Sequence, residues 1–75
     1  MNDKRRAKAN EAKQKLEAVL AIIEYLIDEE QCALEGIPEN MQARVERCED
    51  TISDLEDAKA SVEEAITQLE SATER

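Results

Sequence analysis

The chain is 75 residues long, with no Trp, no Phe and one Tyr, Tyr25, so a core must come from Leu, Ile, Val and Ala, which suits helix packing. One Gly and one Pro leave room for a single sharp turn, which excludes a sandwich or barrel with its many turns. A formal net charge of -9 sets the chain as a whole against nucleic acid and anionic membrane surfaces.

These limits predict one all-α domain, an antiparallel two-helix hairpin over residues 1–75. The first helix is predicted from about Asp3 to about Glu35. Its start is basic: residues 1–15 carry six bases against two acids, whereas residues 16–39 carry seven acids and no base. Leu16, Val19, Leu20, Ile23, Leu26, Ile27, Ala33 and Leu34 fall on one broad face, extended by Ala9 and Ala12 and widened by Ile22 and Tyr25. A single antiparallel partner covers only a narrow stripe of such a face. Large exposed apolar patches are uncommon on monomers, so the surplus width predicts a homodimer, a four-helix bundle of two hairpins.

The most apolar run, "LEAVLAIIEYLI", contains Glu17 and Glu24 and reaches about half the length of a membrane span. No signal peptide follows the basic start. Two cysteines without a Cys-x-x-Cys motif fit reduced thiols, so the expected location is the cytoplasm, away from membranes.

The turn is predicted over residues 36–39. Gly36 suits the left-handed position just past a helix, with Ile37 folding back on the last turn. Pro38 keeps Ile37 out of the helix and presets the first turn of the next one. Asn40 is an alternative N-cap, which moves that start by about two residues.

The second helix is predicted over about 40–73. Met41, Val45, Cys48, Ile52, Leu55, Lys59, Val62, Ile66, Leu69 and Thr73 alternate spacings of four and three, which is a heptad seam. One flank is Glu49, Glu56, Glu63 and Glu70; the other is Arg44, Thr51, Ala58, Ala65 and Ala72. The expected core is therefore Leu16, Leu20, Ile23, Ile27 and Leu34 against Val45, Cys48, Ile52, Leu55, Val62, Ile66 and Leu69. With the turn centred near Ile37, Leu34 faces Met41, Ile27 faces Cys48, Ile23 faces Ile52 and Leu20 faces Leu55. Lys59 then reaches Glu17. Basic residues 4–15 lie beside acidic residues 60–71, neutralising Glu63, Glu64 and Glu70. Each exposed pair contributes only about 0–1 kcal/mol, so the pairs set register more than stability.

Catalysis finds little support. There is no His, no Gly-rich phosphate loop and no Gly-x-Ser-x-Gly elbow. No cofactor or metal is expected: Asp28, Glu29, Glu30 and Glu35 do not form a calcium loop, and bundle metal sites draw on Glu-x-x-His pairs. Glu30 falls in the core stripe and is expected to pair with Arg44 or Arg47. Cys48 reads as a small core residue. Cys32 and Cys48 are offset by roughly 6–7 Å along the axis, which disfavours a disulfide. Glu29 and Glu35 oppose the dipole at the end of their helix. Asp50, Asp57 and Glu64 repeat at heptad spacing. These five acids are the candidate surface for an unidentified protein partner.

The order "NDKRR", then "DEEQ", "IPENMQ" and "ER", then "SDLEDAKASVEEAITQLE" resembles a family of small, uncharacterised helical proteins of Gram-positive bacteria and their phages. Asp28–Gln31 and Pro38–Gln42 carry the distinctive part. Cys48 stands where that family suggests an aromatic residue, and Gly36 where it suggests Asn. The resemblance implies a phage or mobile-element setting and no particular activity.

The leading functional expectation is a non-enzymatic interaction and assembly protein. One alternative is a small regulator that uses the basic N-terminus on nucleic acid, although the aromatics and basic balance of such proteins are missing. Another is an acidic decoy that occupies a host nucleic-acid-binding protein, with Asp50, Asp57 and Glu64 along one rigid face.

Overall fold

A computed structural model describes all 75 residues. It contains two α-helices, α1 (Asp3–Glu35) and α2 (Gln42–Thr73), packed side by side as an antiparallel hairpin. The rod measures 59 × 14 × 11 Å.

The start of α1 is capped from its own sequence. The Asn2 side chain accepts the Arg5 backbone N–H at 2.8 Å, and the Asn2 carbonyl accepts that of Arg6 at 2.9 Å. The first bond satisfies one of the donors that a helix start leaves open, and the second is the first regular bond of the helix.

The turn departs from the expected geometry. Gly36 has φ -86° and ψ -5°, and no residue of the chain has a positive φ. Instead of reversing through a left-handed residue, α1 tightens at its end. Gly36 N–H donates to the Ala33 carbonyl at 3.2 Å, and Ile37 N–H to that of Leu34 at 3.1 Å. Such three-residue bonds satisfy the last carbonyls as well as a left-handed cap does. Pro38 does not open the second helix either. Its carbonyl accepts Met41 N–H at 3.0 Å, closing a turn over Glu39 and Asn40. The helix therefore starts at Gln42, with Met41 in the cap position and no side-chain cap, so Asn40 does not serve as N-cap. The connection is 36–41 rather than 36–39.

Gly36 is thus not required for its backbone. A Cβ there meets the Ala33 and Cys32 carbonyl oxygens at 3.6 and 3.9 Å, ordinary contact distances. Gly36→Ala is expected to stabilise the hairpin by about 0.4–1 kcal/mol, through lower entropy of the unfolded chain. Thermal unfolding by circular dichroism checks this; a lower Tm contradicts it.

The longer connection moves the register. The Cys48 thiol donates to the Glu30 carbonyl at 3.4 Å, about one turn past Ile27. Lys59 Nζ lies 3.5 Å from Glu24, not beside Glu17. Both α2 side chains meet α1 nearer the turn than a centre at Ile37 predicts.

Of the twelve residues expected in the core, only Ile27 and Cys48 are buried; the other ten are half-buried. Two helices touch along a stripe, so a residue on that stripe keeps one flank in water. The larger apolar residues outside it remain exposed.

Candidate interaction surface

The helical repeat splits the broad apolar face of α1 into two stripes. Leu16, Leu20, Ile23, Ile27 and Leu34 turn toward α2. Val19, Ile22 and Leu26 sit about a quarter turn further round, in line with Ala12 and Ala33. In α2, Ala58, Ala65 and Ala72 are rotated off the seam toward the same side of the rod. A groove of about 320 Å³ near the turn shows how these sides match: Ala33 of α1 lines it together with Arg47 and Thr51 of α2. Val19, Ile22 and Leu26 are 42%, 60% and 41% exposed.

The opposite side is polar and bridged. Lys13 Nζ lies 3.7 Å from Glu70 Oε1, and Lys59 meets Glu24 as described above. Glu17 and Glu63 share a groove with Lys13 and Glu70, and Glu49 and Glu56 line another nearer the turn. The hairpin thus has one side closed by charge pairs and one side presenting aliphatic carbon.

The basic start neutralises less of α2 than expected. Only Lys13 pairs with an acid of α2; Glu63 and Glu64 form no ion pair. Lys8 and Lys15 both turn to Glu11 within α1, at 3.6 and 3.3 Å. Arg6 fastens the ends of the chain: Nε donates to the Thr73 carbonyl, Nη1 to Asp3 and Nη2 to the Met1 carbonyl, each at 2.9 Å. A guanidinium at the end of α2 also suits the helix dipole. The i,i+3 and i,i+4 pairs compete with cross-hairpin pairs because they need no particular register.

At the tip, Glu30 pairs with neither Arg44 nor Arg47. The Cys48 thiol lies 3.5 Å from Glu30 Oε2, and Arg44 Nη1 donates to Met41 Sδ at 3.5 Å. Both arginines line the groove of Ala33 and Thr51 without a carboxylate partner of their own.

Burial raises the Cys48 thiol pKa above its ordinary value, helped by hydrogen bonding to Glu30 and the charges of Glu30 and Glu49. A raised thiol favours the fold below its ordinary pKa and loses that contribution as pH rises through the raised value. The hairpin is therefore expected to weaken in alkaline solution. Urea unfolding at pH 7 and pH 10 should show a smaller alkaline loss for Cys48→Ala than for wild type or Cys32→Ser. An equal loss in all three removes Cys48 as the cause.

The candidate partner acids are exposed and free of ion pairs, but they do not form one patch. Glu29 and Glu35 lie near the end of α1, whose last turn has no base. Glu29 raises the pKa of Tyr25, one turn earlier, by hydrogen bonding first and by its charge second. Asp50, Asp57 and Glu64 run along the outer side of α2, away from α1, about 10.5 Å apart by helical rise. Cys32 is exposed and Cys48 buried, and both are free thiols. No three acids or thiols converge in a way that could hold a metal ion. No helix is long and apolar enough to cross a membrane.

The apolar side that sequence reasoning treated as one face is the feature the structure resolves. Its signal was a second set of apolar residues at 12, 19, 22, 26 and 33, spaced by seven, three, four and seven, beside the run through Leu16 and Leu20. No protein-family model, curated protein or solved structure matches the chain.

Proposed function

We propose that this chain is a non-enzymatic assembly protein. Two hairpins pair through the apolar side into a homodimeric four-helix bundle, and the acidic outer edges are left for a protein partner. The observation that carries this reading is the exposure of Val19, Ile22 and Leu26 on one side of a rod whose other side is bridged by Lys13–Glu70 and Lys59–Glu24. Two buried residues in 75 are a small return for ordering two long helices. A side 59 Å by 14 Å offers roughly 800 Å², about what each partner contributes to a stable interface.

Two free thiols favour a reducing compartment, and the cytoplasm is the proposed location. A phage or mobile-element setting rests on the resemblance of "DEEQ" and "PENMQ" alone. The unpaired row Asp50, Asp57 and Glu64 favours, as a second reading, an acidic decoy for a basic host protein. Nucleic-acid binding by the N-terminus fits less well, because Arg6 and Lys13 are engaged by Thr73, Asp3, Met1 and Glu70 and the chain as a whole is acidic.

Sedimentation equilibrium at micromolar concentration tests the assembly. The monomer is 8.5 kDa, and the expected mass is twice that. A single-chain mass overturns the reading.

A further inference from the structure

Resting on the assembly reading above, we propose that the second copy lies on the apolar side with its α1 antiparallel to the first α1, about a two-fold axis beside Ile22. The charges along that stripe decide the orientation. Lys15 stands seven residues before Ile22 and Glu29 seven after. With Ile22 on the partner's Ile22, Lys15 of each copy meets Glu29 of the other, and both pairs form at once by symmetry. Between the axis and these pairs, one turn from Ile22, Val19 of each copy approaches Leu26 of the other. Two turns beyond Lys15, Lys8 comes level with the partner's Gly36, at the end of the partner's α1.

The participants are available. Lys8 and Lys15 are 80% and 76% exposed and share the single carboxylate of Glu11. Glu29 and Glu35 have no cationic partner within the hairpin, and no base follows them in the last turn of α1. A partner lysine supplies the positive charge that this helix end lacks.

The competing arrangements leave Lys15 without an acid. Parallel α1 helices would set Lys15 against Lys15. A two-fold axis along the rod would lay α1 over the partner's α2 at the same level. Lys15 would then face the side that carries Ala65 and Ala72, while Glu63 and Glu70 turn to the polar side.

Charge swapping tests the orientation. Lys15→Glu and Glu29→Lys, each alone, place two like-charge contacts across the dimer and are expected to raise its Kd about tenfold or more. Mixing the two variants restores both contacts in the mixed dimer, so heterodimers should exceed their statistical share in native mass spectrometry. The double variant should return to the wild-type Kd. A covalent readout is independent of charge. In a Cys32→Ser, Cys48→Ala background, Ile22→Cys should oxidise to a linked dimer. Leu26→Cys should not, because eight residues separate the two copies along the axis, about 12 Å. A wild-type dimer in which the single variants bind normally, heterodimers are not enriched and Ile22→Cys does not link overturns the orientation and leaves the assembly standing. A wild-type monomer overturns both.

Discussion

Ile22→Glu is expected to convert the assembled protein to monomers at micromolar concentration, with Kd raised by at least about 100-fold. In the single hairpin Ile22 is 60% exposed, so a glutamate there meets water and disturbs nothing in its own chain. In the bundle the same position lies at the centre of the apolar side. A carboxylate there loses its hydration without a cation to replace it. Two-fold symmetry doubles the effect, since each dimer holds two such carboxylates close together, and like charges at short range oppose ionisation. The folded hairpin is stabilised by whatever binds it, so dissociation should also lower the melting temperature and make it less dependent on concentration. Ser53→Glu, exposed on the polar side beside Glu49 and Glu56, is the matched control and should leave the mass unchanged. Sedimentation equilibrium reads both variants. If Ile22→Glu still sediments as a dimer, the apolar side is not the interface.

Ile27→Ala is expected to destabilise the hairpin by about 2–4 kcal/mol, the range for truncating a buried aliphatic side chain to alanine. Ile27 is 8% exposed and one of only two buried residues, so no other part of the chain can take over its packing. At about 4–8 °C per kcal/mol for a domain of this size, the melting temperature should fall by roughly 8–32 °C. Leu55→Ala and Val62→Ala remove half-buried groups and should cost less, because their flanks already face water. Thermal unfolding by circular dichroism ranks the three. A fall for Ile27→Ala no larger than that for Val62→Ala would show that packing is not concentrated at this level of the rod.

Much of the fold was legible in the residues. The alternation of four and three from Met41 to Thr73 predicts the seam of α2, and the core residues it names, from Val45 to Leu69, are buried or half-buried. The expected bounds of α1, about Asp3 to about Glu35, match those of the helix. The turn was misread where composition suggested a familiar device. Glycine permits a left-handed conformation without requiring it, and here three-residue hydrogen bonds at Gly36 and Ile37 satisfy the helix end. Charge pairing was legible only in outline. Lys13–Glu70 and Lys59–Glu24 bridge the hairpin, but Lys8 and Lys15 turned to Glu11 on their own helix. Long flexible side chains choose the nearest carboxylate, and the nearest one depends on a register that no local rule sets.

The candidate surface divides in the same way. The exposure of Asp50, Asp57 and Glu64 follows from heptad position, which places them opposite the seam whatever the register. The isolation of Arg44 and Arg47 from Glu30 does not follow from any spacing. It depends on Cys48 lying over Glu30, and so on where α2 begins.

By itself the sequence determined that this protein is two helices with more apolar width than one hairpin can cover, because helical periodicity is a local property of the chain. Tertiary structure alone decided which of the two stripes on α1 turns toward α2 and which stays open. Leu16, Leu20, Ile23 and Ile27 are no more apolar than Val19, Ile22 and Leu26, so hydrophobicity could not rank them. The choice follows from the matching seam of α2, the six-residue connection and the two bridges between the helices, all of which act only when the helices meet.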